Sequence, residues 1–175
     1  MKMIKTVMAG AVAMALVSFG ANAANQRNGT VYFKGEIIDT PCGIAPESAD
    51  QTFDFGQISK VHLNAKGTSV KKDINIKLVN CEMGAAQKTV QVTFKGNTVD
   101  GAKKMLEAAN TGAGIVMVGQ DGKDVVFGTA TTGVPVMDGI NTLHYQAWVT
   151  AADANAPAVT EGAFTAVTDF TMAYQ

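Results

Sequence analysis

The chain has 175 residues, 47% of them hydrophobic and 17% charged, which is the composition of one globular domain with enough apolar material for a single core. Its formal net charge is −1, so no excess of basic residues points to nucleic acid or to an anionic membrane as a partner. Eighteen glycines against four prolines, with many Val, Thr and Phe, favour strands and turns over helices.

Residues 1–23 have the pattern of a secretory signal peptide. Lys2 and Lys5 precede an apolar run from Val7 to about Gly20, and Ala21-Asn22-Ala23 supplies an A-x-A cleavage site. The run is short for a membrane span. Cleavage takes 23 of 175 residues and leaves 152; losing Lys2 and Lys5 takes 14 basic groups to 12 against 15 acidic, a net charge near −3. Cys42 and Cys81 both lie in the exported part. In an oxidising compartment two cysteines favour one disulfide, worth about 4 kcal/mol on the chain-entropy model. A redox or metal pair is the alternative, but CxxC spacing and nearby ligands are lacking.

Residues 24–28 are polar. Gly29 to Ile38 then alternates: Gly29, Val31, Phe33, Gly35 and Ile37 share one face, and Thr30, Tyr32, Lys34, Glu36 and Ile38 the other. Glycine on the apolar face of a strand marks close approach of another backbone. Asp39-Thr40-Pro41-Cys42-Gly43 breaks the pattern, so residues 24–39 read as an arm and 40–175 as the body. In the body, Thr52–Gly56 reads as a short strand and Lys60–Thr68 as a loop. Val70–Val79 is a strand with Ile74, Ile76 and Leu78 inward; Thr89–Lys95 is another, with Val90, Val92 and Phe94 inward. Lys103–Ala109 suits a short helical turn. Ile115–Gly119 and Asp124–Phe127 flank an Asp121-Gly122 pair, a hairpin signal. Val134–Met137 contains Pro135, which suits an edge. Asn141–Thr150 places Leu143, Tyr145, Ala147 and Val149 on one face, and a loop containing Pro157 follows.

The last fourteen residues form one long alternating strand, with Gly162, Phe164, Ala166, Thr168, Phe170, Met172 and Tyr174 on a single face. The chain stops one residue after Tyr174, so the free edge of this strand must be covered somehow. An earlier strand of the same chain is the ordinary solution. Many short strands without a long helix specify an all-β, Ig-like sandwich.

No catalytic constellation stands out. His62 falls in a polar loop, and His144 lies beside Trp148 on the outward set of its strand. No HExxH, GxSxG, SxxK or phosphate-loop pattern occurs, and no pair of acids can be singled out. The expectation is no enzyme, no cofactor and no metal. Trp148 with Tyr145 or His144 could line a sugar groove, although packing within a sheet is the commoner role of such aromatics.

Two long alternating segments, one before the first cysteine and one at the end, suggest an incomplete sandwich. The first is the kind of strand that would fill a groove left beside the second. Filling its own groove would make a closed monomer. Filling a neighbour's would make a head-to-tail polymer, because a heterologous contact that does not close builds a fibre.

These features together resemble the structural pilins of the chaperone–usher pathway, of the type 1 fimbrial kind. The resemblance spans essentially the whole chain. It rests on the signal peptide, the arm G-T-V-Y-F-K-G-E-I-I, Cys42 with Cys81, F-D-F-G-Q-I (Phe53–Ile58), L-H-Y-Q-A-W-V (Leu143–Val149), and a C-terminal pattern of Gly162, alternating apolar residues and penultimate Tyr174. The resemblance implies an incomplete Ig-like sandwich that lacks its last strand. It implies a periplasmic chaperone that lends a strand to the groove beside Phe164, Phe170, Met172 and Tyr174. At an outer-membrane usher the arm of the next subunit would replace that strand, in donor-strand exchange, an established form of strand addition. Val31 and Phe33 would be the main plugs, and the product a fimbria on the bacterial surface. The 152 mature residues leave no room for an added sugar-binding domain, and the arm argues against a terminator subunit. The expectation is therefore a shaft or adaptor subunit, with small residues and few charges leaning toward the major shaft subunit. The competing expectation is a self-contained secreted carbohydrate-binding module whose arm closes its own sandwich.

Overall fold

The computed structural model describes residues 29–85, 89–152 and 158–175. The signal peptide, residues 24–28 and part of the loop around Pro157 lie outside them. The chain divides into two units, and the second begins at Ile37.

In the first unit, residues 29–36 are exposed and carry no assigned strand. The strand expected over Gly29–Ile38 is therefore not seen as a ladder. Alternation specifies which side chains share a face, but a β-strand is completed only when its main-chain groups find a partner.

The second unit holds two antiparallel sheets. Its elements are β1 (Gly43–Ile44), α1 (Pro46–Ala49), α2 (Lys60–Asn64), β2 (Lys72–Cys81), β3 (Thr89–Lys95), β4 (Met105–Ala108), β5 (Ala113–Gly119), β6 (Val134–Pro135), β7 (Gly139–Ala151) and β8 (Asp169–Tyr174). One sheet runs β1-β2-β7-β5-β4, the other β6-β3-β8. The inward rows meet in one core: Ile76 and Leu78 from β2, Val90, Val92 and Phe94 from β3, and Leu143, Tyr145, Ala147 and Val149 from β7 are all buried. Phe94 stands edge-on to Tyr145, with ring centroids 4.9 Å apart, and joins the two sheets. Burial of each such large side chain is worth roughly 1.5–3 kcal/mol.

Several local expectations are corrected. Among them is the strand expected over the last fourteen residues, which is assigned only over Asp169–Tyr174, while residues 162–168 have no ladder and alternate in burial from Ala163 on. Lys60–Thr68 is not all loop: Ser59 caps a helical turn by accepting the His62 N–H at 3.4 Å, and Leu63 drops into the core. Met105–Ala108 is a strand and not a helical turn. Its side chains favour helix in isolation, but β5 offers a partner from Ala113 to Val116, and Leu106 and Ala108 are buried. Tertiary pairing overrides weak propensity. Thr52–Gly56 carries no assigned strand, although Phe53 and Phe55 are half-buried with exposed residues between them. Gly122 has φ +73° in the turn after β5, and Gly119 and Lys123 close the hairpin; only a single bridge, Val118 to Asp124, follows. Pro135 sits in the edge strand β6, where a missing N–H is tolerated.

Cys42 and Cys81 form a disulfide that joins the chain just before β1 to the end of β2, with Cα atoms 4.1 Å apart. Gly96 follows β3 at a tight crossing. A Cβ there would come 2.5 Å from Leu106 Cδ2 and 2.8 Å from the Val167 carbonyl oxygen. This glycine lets the segment before β8 lie close over the end of β3. Gly96→Ala is expected to lower stability by about 1–3 kcal/mol through overpacking. Chemical denaturation of the purified protein checks this, and an unchanged midpoint would show that the Val167 segment moves aside freely.

Candidate functional site

β8 pairs with β3 from Val90–Tyr174 to Phe94–Phe170, and beyond at Lys95–Asp169. Thr89 and Gln175 exchange both main-chain hydrogen bonds, at 2.9 Å each. In an antiparallel ladder such pairs alternate with non-bonded ones. Ala173, Thr171 and Asp169 therefore bond to β3, while the N–H and C=O groups of Tyr174, Met172 and Phe170 point to the opposite edge of β8. Among the described residues no strand occupies that edge.

The same residues carry the inward side chains. Phe164, Ala166, Thr168, Phe170, Met172 and Tyr174 are all half-buried, while the residues between them are exposed. The central strand β7 looks different, with Leu143 at 1% and Val149 at 0% exposure. The C-terminal row is thus covered from one side only. Phe94 packs under Phe170 at 6.1 Å between ring centroids, and Phe55 lies 6.4 Å from Phe164. Thr168 is fixed by donating its hydroxyl to the Lys95 carbonyl at 3.0 Å. Gly162 is exposed and stands outside the half-buried row. The result is an apolar furrow beside an edge of unpaired amides and carbonyls.

The sequence pattern puts Phe53–Ile58 in the body but not Phe55 beside this furrow; Phe55 and Ile58 both pack against the core without being buried. The spacing of Phe53 and Phe55 is a signal for an inward row. The position of Phe55 near Phe164 depends on tertiary packing.

Of the arm residues, Val31 is 73% and Phe33 92% exposed, and Ile37, at the start of the second unit, is fully exposed. Gly29 and Gly35 are exposed as well.

Of the remaining candidates, His144 and Trp148 line one surface depression together with Lys71 and Asp73. Tyr145 borders it but is buried, with its ring packed on Phe94 in the core. Trp148 lies under Lys71, whose Nζ is 4.6 Å from the ring centroid. His144 Nδ1 is 2.7 Å from Asn75 Oδ1, and His62 Nε2 is 3.1 Å from the Thr68 carbonyl oxygen. Each histidine is held by a neutral partner, and neither hydrogen bond is to an acid.

The Tyr174 hydroxyl is buried with no hydrogen-bond partner among the described residues, and the Tyr145 hydroxyl is buried with Thr131 as its candidate partner. Burial pushes both phenols above the usual tyrosine value of 10.0. Tyr174 thus ends the furrow with an unsatisfied polar atom.

The matched family model is described as fimbrial protein and covers residues 31–175. The chain belongs to the fimbrial protein family. It is 48% identical to KS71A fimbrillin of Escherichia coli, and the alignment covers 99% of this chain and all of the relative. It is 47% identical to the Pap fimbrial major pilin protein of Escherichia coli over the same shares, and 42% identical to the Fimbria A protein of Serratia marcescens over the whole of both chains. Among solved structures, a chain of a chaperone–usher pilus, determined for the molecular basis of rod uncoiling, matches with TM-score 0.80 and 44% identity. That match covers 86% of this chain and 97% of the other. The P pilus rod subunit PapA matches with TM-score 0.73 and 43% identity over 78% of this chain and all of its own. The sandwich is therefore the Ig-like fold of these fimbrial pilins.

The raised phenols give a pH prediction. Above about pH 10 the unfolded chain releases these protons while the folded chain keeps them. Stability is therefore full below pH 10 and falls as pH rises toward the folded-state values. Tyr174→Phe is expected to shallow that fall and, because the lost hydroxyl has no partner, to cost less than about 1 kcal/mol at neutral pH. Denaturation midpoints between pH 8 and 12 test both points; a large loss at pH 7 would mean that the hydroxyl has a partner.

Proposed function

We propose that this fimbrial protein is the shaft subunit of a cell-surface fimbria and polymerises head-to-tail by donor-strand exchange. The observation that carries the reading is the open edge of β8, where half-buried side chains and unpaired main-chain groups belong to the same residues. An added strand would satisfy both at once. The arm has the matching period, with Val31, Phe33 and Ile37 as plugs and Gly29 and Gly35 where the furrow is shallow. In the acceptor copy the lining would be Phe164, Ala166, Thr168, Phe170, Met172 and Tyr174, with Gly162 at its start. Insertion of each large plug would contribute roughly 1.5–3 kcal/mol, and each main-chain bond about 1 kcal/mol.

Export through the periplasm follows from residues 1–23. There the open edge would be an aggregation hazard, which a periplasmic chaperone covers with a borrowed strand until an outer-membrane usher presents the next subunit. The subunit contributes no catalysis and needs no cofactor; its work is strand pairing.

Phe33→Asp is expected to leave chaperone binding intact and to abolish fibres, because a charge would enter an apolar furrow. Normal fibres from this variant would overturn the assignment of Phe33. Light scattering on purified residues 24–175, and on a chain without residues 24–38, tests the polymer itself. Heat-resistant polymers from the first, and dependence on an added donor peptide in the second, are the expected results. A stable monomer that unfolds on truncation would instead mean that the arm closes its own domain.

A further inference from the structure

The turn between β6 and β7 and the start of β7 present two large apolar side chains to solvent, Met137 at 75% exposure and Ile140 at 68%. Isolated exposed apolar residues are ordinary. This pair differs in that the main chain carrying it is tied down. The Asn141 side chain grips the main chain of Met137 twice: Oδ1 accepts the Met137 N–H at 3.0 Å, and Nδ2 donates to the Met137 carbonyl at 2.7 Å. Asp138 Oδ1 accepts the Met83 N–H at 2.7 Å. Gly139, at φ +96°, completes the turn beside Cys81. These bonds fix the main chain beneath the two side chains, so the apolar tip is presented at one place on the surface and its backbone has little freedom left to lose on contact.

The tip also sits at one particular place. Glu82 donates its N–H to the Pro41 carbonyl at 2.8 Å, and Thr40 donates its hydroxyl to the Cys42 carbonyl at 2.8 Å. Together with the disulfide, these bonds fix the point where the chain leaves the body. From Ile37 to Pro41 only Ile38, Asp39 and Thr40 intervene, a tether that reaches at most roughly 14 Å when fully extended. Whatever body holds Ile37 in its groove must therefore come within that distance of Pro41, and Pro41 and Asp138 are held by the adjacent residues Glu82 and Met83.

We infer that the Met137–Ile140 turn is a contact surface for a second copy of this chain, the copy whose groove receives this chain's arm. The inference rests on the head-to-tail reading above and extends it: insertion of the arm also presses one body against the next. The exposed apolar tip supplies an apolar contact beside the covalent tether, so successive bodies are held at a preferred angle and do not swivel freely about residues 38–41.

The test is a benzoylphenylalanine crosslinker in place of Ile140, and separately in place of Met137, in the full exported chain assembled into fibres. Both positions are exposed, so the replacements leave folding intact. After irradiation and dissociation, the expected product is a covalent dimer at either position, with the attachment mapped by mass spectrometry to residues bordering the neighbour's groove, within 53–58, 89–96 or 162–175. Attachment only elsewhere, or no dimer from fibres that form normally, overturns the contact and leaves donor-strand exchange standing. Failure of the unsubstituted chain to form fibres defeats the head-to-tail reading, and this surface with it.

Discussion

Everything in this subunit depends on one strand that is satisfied on a single edge. β8 has β3 on one side and, among the described residues, no strand on the other. Its outward-pointing amides belong to the residues whose side chains face the core. Water can solvate an open edge, and it can wet an apolar furrow, but the second costs free energy in proportion to the area left exposed. Any segment that adds a strand with the correct period relieves that cost and gains the hydrogen bonds together. The chemistry of the fimbrial protein is thus the physics of β-sheet completion.

The rest of the body keeps that vacancy in shape. Phe94 contacts Tyr145 across the sandwich and Phe170 beside it, so the floor of the furrow is tied to β7 in the opposite sheet. Gly96 allows the chain to cross close over β3 before β8 begins. The disulfide acts at a different place, at the root of the arm, where it joins the chain before β1 to the end of β2. A groove with a stiff floor would favour registers two residues apart, because a shift of one residue would turn every apolar side chain of an added strand outward.

Much of this was legible in the sequence because the informative segments have period two. The inward rows of β2, β3 and β7, the edge position of Pro135 and the hairpin at Asp121-Gly122 all follow from local pattern and turn chemistry. The half-buried C-terminal row could be listed residue by residue, because alternation does not need tertiary knowledge. What local pattern could not supply was pairing. Met105–Ala108 has helix-forming side chains and became a strand because β5 was available. Tyr145 and Trp148 are three residues apart on an alternating strand and therefore face opposite sides, which turns the Tyr145 ring into the core. Phe55 came to lie beside Phe164 through a fold that brings residues over a hundred positions apart together, a relation that no window of sequence contains.

The arm and the groove differ in what they need from the chain that carries them. Val31 and Phe33 lie exposed in a segment with no assigned strand, while the furrow is held by packing on three elements. Ordering the arm on insertion costs conformational entropy, of the order of 1–2 kcal/mol per residue. Two plugs, together roughly 3–6 kcal/mol, would fall well short of that over residues 29–37. On the proposed reading, main-chain bonds to Phe170, Met172 and Tyr174 and a third plug at Ile37 would have to supply much of the rest. Because the arm and the furrow are different surfaces of one chain, each junction leaves one arm or one furrow free at either end. Growth has no internal reason to stop. Length must then be set from outside the subunit, by supply or by a chain that lacks one of the two surfaces.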